Sequence, residues 1–229
     1  MNREKFIGLT KARASMYRFL GGIYIMEVDE EQLKALKSMK FPAIEGEEDS
    51  DLDLKEGYGL LEGYISGVSE KDLEDLAADY AKVFLAAGDA TGNAAFPYES
   101  VYIDKRRQVG GSSEMQMKAL YLARGYEPDP NMYRTMYDNI GLMLEYMGNI
   151  CDEVKDAAEK EDKEKTAALL EEQKKFVKKH LTNWVYSFTG DIVKFAETDF
   201  YKGIAKITNG FLKKETAFLK EGGKVWDID

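Results

Sequence analysis

His180 and Cys151 are the sole histidine and the sole cysteine among 229 residues, and that scarcity restricts the chemistry open to the chain. A structural zinc site needs four Cys or His ligands, a di-iron bundle needs two Glu-x-x-His pairs, and an internal disulfide needs two thiols. All three are excluded. Nucleophilic catalysis of the Ser-His-Asp or Cys-His kind would have to run through His180. That residue lies in register with Phe176, Trp184 and Phe188 at steps of four, so its expected role is structural, on an apolar helical stripe. Cys151, between Ile150 and Asp152, reads as a small semi-buried side chain near a helix end.

Other patterns fail for specific reasons. Asp49, Asp51 and Asp53 begin like a calcium loop, but Leu54 replaces the glycine of the sixth position and Leu60 the glutamate of the twelfth. The acidic run Glu45 to Glu56 is therefore expected to be a solvated connection between helices. The glycines at 88 and 92 precede no Gly-Lys-Ser/Thr, and those at 110 and 111 follow no strand, so neither a P-loop nor a dinucleotide fingerprint is present. What remains is a binding surface. Methionines and aromatic residues between about 84 and 121 could line an adaptable apolar groove with an acidic rim, suited to a ligand cationic at one end and apolar at the other.

The elements that would carry such a surface are helical. Phe6, Leu9, Ala12, Met16, Phe19 and Ile23 share one face of a first helix, whose end Gly21 and Gly22 weaken. Asp29 caps a second helix over about 29 to 39, with Leu33, Leu36 and Met39 inward. Ser69 and Asp72 resemble a capping box before Leu73, Leu76, Tyr80, Val83 and Phe84, and this helix should stop near Gly88. Between Gly88 and Ser113 the helical period is lost, and Phe96, Pro97, Tyr98 and Tyr102 mark a long structured loop over about 88 to 112. Helical spacing returns with Met115, Met117, Leu120 and Leu122, and again with Ile140, Met143, Leu144, Met147 and Ile150. The charged stretch Asp152 to Lys165 reads as a helix end and turn, Asp191 as the cap of a short helix to Thr198, and Phe200 to Phe218 as a final helix. No prolines follow Pro130 and no alternating β-branched run appears. The expected fold is all-α, a single domain over 1 to 229 of about eight or nine helices in a compact bundle.

The chain carries 32 basic and 42 acidic side chains, a net charge of −10, which argues against general nucleic-acid binding. Charged residues interrupt every apolar run near the N-terminus, and the longest stretch free of Asp, Glu, Lys and Arg is the 11 residues from His180 to Gly190. A membrane helix needs about 20, so a soluble, intracellular protein is expected. A binding protein without turnover, a helical small-molecule sensor or regulatory domain using the same groove, and a hydrolase or lyase with His180 as base are the competing functional classes.

The segment DYAKVFLAAGDATGNAAFPYESVYID, Asp79 to Asp104, strongly resembles the TorD/DmsD/NarJ family of cytoplasmic chaperones for molybdenum-containing oxidoreductases. The likeness rests on the aromatic-x-x-aliphatic-Phe helix end Tyr80, Val83 and Phe84, and on the loop closing in Pro97 to Tyr102. SSEMQMKALYLARGYEP, IGLMLEYM, HLTNWVYSF and DFYKGIAKITNGFL follow in the family's order. The family's Glu-Pro-x-Asp-His motif falls on Thr135 to Asn139, of which only the aspartate, Asp138, is retained. The resemblance implies an all-helical chaperone, monomeric or homodimeric, without catalytic residues, metal or cofactor of its own. It would bind the N-terminal leader or apo form of a molybdenum oxidoreductase subunit, often through a twin-arginine leader, and hold it until the cofactor is inserted. It also implies a client-binding set of Tyr80, Val83, Phe84, Gly88, Phe96, Pro97, Tyr98, Glu99, Tyr102, Asp138 and Asn139. In that set Asp138 and Glu99 would meet the leader's guanidinium groups, while Phe84, Tyr98 and Tyr102 would accept its apolar part.

Overall fold

A computed structural model of the chain describes residues 1–68, 72–88, 93–128 and 135–221. Ser69, on which the expected capping box rests, lies outside them, as do Gly92 and Pro130. Among the described residues there are ten α-helices and one π-helical turn: α1 Arg3–Ile25, α2 Glu30–Ser38, α3 Asp49–Gly67, α4 Leu73–Leu85, α5 Glu99–Ile103, α6 Ser112–Ala123, α7 Ile140–Glu159, α8 Lys163–Phe176, the π turn Val177–Leu181, α9 Val185–Phe195 and α10 Asp199–Lys220. The fold is all-α. Among these residues no strand forms, only an isolated antiparallel bridge between Tyr98 and Asn139.

The helices group into two compact units, each assembled from segments distant in sequence. The first takes residues 1–25, 98–183 and 215–229, hence α1, α5 to α8, the π turn and the end of α10. The second takes 26–97 and 184–214, hence α2 to α4, α9 and most of α10.

In the first unit α1 packs along α7. A Cβ at Gly21 would sit 2.9 Å from the Gly141 carbonyl oxygen, and one at Gly141 only 2.8 Å from that of Gly21, so the glycine expected to weaken the end of α1 instead lets two backbones meet. The buried face of α1 also differs from the expected one. Leu9 is exposed, whereas Phe6, Thr10, Arg13, Tyr17, Leu20 and Tyr24 are buried. Arg13 can be interior because Nε and Nη2 donate to Glu215, each at 2.8 Å, Nη2 also donates to Gln173 Oε1 at 2.8 Å, and Tyr17 donates to the same carboxylate. Cys151 lies in the middle of α7, fully buried, and burial pushes its thiol up to about 11. It is neither near a helix end nor semi-exposed.

In the second unit Asp29 caps α2 as expected, with Asp29 Oδ1 accepting from the Gln32 amide at 2.8 Å. Met39, expected inward, is exposed. The acidic run is not a connection throughout, because α3 begins at Asp49. Its carboxylates suit a helix N-terminus, Lys213 pairs with Asp49 and Asp53, Lys214 pairs with Asp51, and Leu54, Tyr58, Leu61 and Ile65 form its buried stripe. Asp191 is interior to α9 rather than a cap. The expected stripe Phe176, His180, Trp184 and Phe188 does not lie on one helix: α8 ends at Phe176, the π turn carries His180, and α9 starts only at Val185.

Candidate functional site

Within the loop expected over 88 to 112, the described residues form one helical turn, α5, which a ring of hydrogen bonds in the first unit fixes. The Glu99 amide donates to the Asp138 carbonyl at 3.0 Å, and the Ser100 amide donates to Asp138 Oδ2 at 3.0 Å. Asp138 thus binds the free amides at the start of α5, as an acid at a helix N-terminus does. Its second oxygen, Oδ1, is buried without a hydrogen-bond partner. Ser100 Oγ in turn accepts from the Gly110 amide at 2.9 Å, which folds the segment after α5 back upon it. Asn139 caps α7, its Oδ1 accepting from the Gly141 amide at 2.8 Å. Its amide group donates to Thr135 Oγ1, which also lies 3.0 Å from the Tyr98 hydroxyl.

Glu99 extends this ring into the helical core. Its Oε2 lies 3.1 Å from Nδ1 of His180, and its Oε1 accepts from Asn183 Nδ2 at 3.3 Å. A carboxylate only accepts, so the contact places the imidazole proton on Nδ1. Glu99, Asp138 and His180 are 2%, 0% and 4% exposed. Glu114, at the start of α6, receives the amides of Tyr137 and Asp138, and burial raises its carboxyl above the ordinary range.

His180 also belongs to a groove of about 420 Å³ between α6, α7 and α8. Leu120, Tyr146, Phe176 and the imidazole itself give the groove an apolar floor, with ring centroids 5.0 Å apart for Tyr146 and Phe176 and 5.2 Å for Phe176 and His180. Burial pushes the Tyr146 hydroxyl up to about 12. Glu172 on the rim is held by the Arg124 guanidinium, whose Nε donates to Oε1 at 3.2 Å. Lys175 and Lys179 complete the rim.

The sequence-derived set divides between the units. Tyr98, Glu99, Tyr102, Asp138 and Asn139 lie in the first, and the structure brings Tyr98, Glu99, Asp138 and Asn139 together in one bonded cluster. Tyr98 and Tyr102 are half-buried and keep some ring surface open. Tyr80, Val83, Phe84, Gly88, Phe96 and Pro97 lie in the second. There Val83 and Phe84 are core residues, Phe84 meeting Tyr80 at 5.0 Å, Tyr201 at 5.5 Å and Phe188 at 6.1 Å, while the Ala95 amide donates to the Val83 carbonyl at 2.8 Å. Gly88 is exposed at φ +80°, Phe96 half-buried and Pro97 buried. Glu99 and Asp138, assigned from the resemblance to a leader's guanidinium groups, show almost no surface: both Glu99 oxygens and Asp138 Oδ2 have internal partners, and Asp138 Oδ1 is buried.

Ser100, Glu114, Asn183 and the groove lysines escaped the sequence reading. The pairs Lys174, Lys175 and Lys178, Lys179, four apart around Phe176, were the available signal for the rim. Among the described residues no group of three or more His, Cys, Asp or Glu could hold a metal ion, and no helix is long and apolar enough to cross a membrane.

Comparison with known proteins follows the same outline. The chain is similar to proteins named chaperone protein TorD: 23% identical over 217 residues to that of Shewanella pealeana, covering 92% of this chain and 90% of the relative. It is 24% identical over 218 residues to that of Vibrio vulnificus, covering 94% and 98%, and 26% identical over 212 residues to that of Vibrio parahaemolyticus, covering 90% and 94%. The family model described as nitrate reductase delta subunit matches residues 47–190, more than half of the chain and the whole stretch from α4 through the α5 cluster to the groove, so this chain belongs to the nitrate reductase delta subunit family.

Proposed function

We propose that this chain is a cytoplasmic chaperone that binds the apo form of a molybdenum-containing oxidoreductase subunit, or its N-terminal leader, and holds it until the cofactor is inserted. The observation that carries the reading is the end-to-end match to chaperones, which spans at least 90% of each relative's own length in the three comparisons above, so no separate catalytic domain of theirs is missing from the alignment. The surfaces suit binding. Tyr98 and Tyr102 in the first unit, and Gly88 and Phe96 in the second, are the members of the family-derived set that keep accessible surface for a client. Glu99, Asp138 and Asn139 act in this reading as positioning residues, which hold the Tyr98 segment through α5 and the cap of α7. Tyr80, Val83, Phe84 and Pro97 support the opposite end of the loop from within the second unit.

Co-expression tests the reading. The chain is produced with the catalytic subunits of molybdenum oxidoreductases of its own organism, and molybdenum content and enzyme activity are measured with and without it. One subunit should form an isolable complex in its apo form and show a several-fold gain in molybdenum loading. Equal loading of every subunit in the absence of the chain would overturn the proposal.

A further inference from the structure

α6 is apolar on two opposite sides. Met117 and Tyr121 point into the first unit and are buried, but Met115 and Leu122 on the other side are 72% and 53% exposed, with Ala119 between them. A surface helix normally presents one apolar stripe to its own core and a polar face to water. The second stripe, at positions i, i+4 and i+7, spans about two turns or 10 Å. Ala119 also lines the groove, so stripe and groove form one continuous apolar surface in the first unit.

The charge along it is unexpected for a chain of net −10. Glu172 shares the Arg124 guanidinium with Glu153, whereas Lys175 and Lys179 are exposed and, among the described residues, make no ion pair. They stand four residues apart at the C-terminal end of α8 and in the π turn, a backbone form that tends to occur at functional sites. Side chains spaced this way on a helix are neighbours about 6 Å apart. Two carboxylates four residues apart on a second helix would match them.

We infer that this surface is a docking site for a partner helix that lays an apolar face on Met115, Ala119 and Leu122 and the Phe176 floor, and presents carboxylates to Lys175 and Lys179. This goes beyond the chaperone reading, since it fixes the charge of the segment held. Its charge is opposite to that of the arginines which the resemblance assigns to Glu99 and Asp138. The concave floor favours a helix over a membrane, where the apolar groups would have to lead outward beyond the lysines.

The probe is a fluorescent 18-residue amphipathic peptide with leucines at i, i+3, i+4 and i+7 and glutamates four apart on its flanks. Its isomer carries lysines at the glutamate positions, and vesicles of equal phosphatidylglycerol and phosphatidylcholine form a third arm. The full chain should bind the glutamate peptide at least tenfold more tightly than the lysine isomer, with affinity falling as salt is added. K175E/K179E should weaken binding roughly tenfold, because two rim attractions of modest size become repulsions of similar size. M115Q/L122Q should weaken it as well. All four positions are exposed or half-exposed, and unchanged helical circular dichroism checks the fold. Failure of the glutamate peptide to bind, equal binding of the two isomers, or indifference to K175E/K179E overturns the inference. Vesicle binding without peptide binding overturns it in favour of a lipid surface. A K175E/K179E variant that loses the peptide yet still loads a client with molybdenum would leave the chaperone reading standing and separate the groove from it.

Discussion

Glu99 Oε2 and His180 Nδ1 meet at 3.1 Å across 81 residues of sequence, joining the single turn of α5 to the π turn after α8. Both groups are buried, and the imidazole continues the aromatic floor formed by Tyr146 and Phe176. One contact therefore fixes the loop that carries Tyr98 and shapes one wall of the groove.

Breaking that contact should cost stability before it costs recognition. A hydrogen bond to a charged group contributes about 1.5–3 kcal/mol, so Glu99→Ala and His180→Ala should each lower the unfolding free energy by at least that much. The double variant should lose clearly less than the sum, because both remove the same bond. Urea denaturation of the four proteins of this cycle checks it, and strict additivity would refute a direct coupling.

Asp138 is expected to act as an acceptor and not as a charge offered to solvent. Asp138→Asn keeps an oxygen for the Ser100 amide and should change stability little, whereas Asp138→Ala strands that amide and should cost about 1–3 kcal/mol. Amide hydrogen exchange at Ser100 should accelerate in the alanine variant alone. Equal acceleration in both variants would mean that the charge itself holds α5.

Close backbone approach makes Gly141 intolerant and leaves Gly22 free. A Cβ at Gly141 would come within 2.8 Å of the Gly21 carbonyl and 2.9 Å of Ile25 Cβ, so Gly141→Ala should destabilise by about 1–3 kcal/mol through overpacking. At Gly22 nothing lies within 4 Å, and Gly22→Ala should stabilise α1 by up to ~1 kcal/mol. Thermal melts of the two variants should move in opposite directions.

Glu114 should give the chain a pH signature. Burial raises its folded-state pKa, so Glu114 takes up a proton more readily in the folded chain than in the unfolded one. The resulting stabilisation is complete below the unfolded carboxylate pKa and is lost as pH rises through the folded one. Glu114→Gln removes that dependence. The variant should be more stable than wild type at pH 7 and nearly equal to it at pH 4, measured by denaturation at both; an unchanged difference would show that Glu114 is not the titrating group.

Local patterns in the sequence determined a good deal of this protein. The Asp29 cap, the apolar period of α4, α7 and α10, and the absence of alternating β-branched runs specify an all-α chain, because helix periodicity and capping act over three or four residues. The run from Asp79 to Asp104 and the one retained motif residue, Asp138, likewise carried the family resemblance without any coordinates. Tertiary structure alone decided what those residues do. Arg13 is interior only because Glu215 and Gln173 reach it, α3 holds its acids because Lys213 and Lys214 come alongside, and Glu99 and Asp138 are buried by partners 81 and 38 residues away. A charged side chain looks equally suited to solvent, to a ligand or to a buried pair when only its neighbours in sequence are known. The choice depends on the desolvation cost and on the hydrogen bonds that offset it, and those are set by which distant segments pack together.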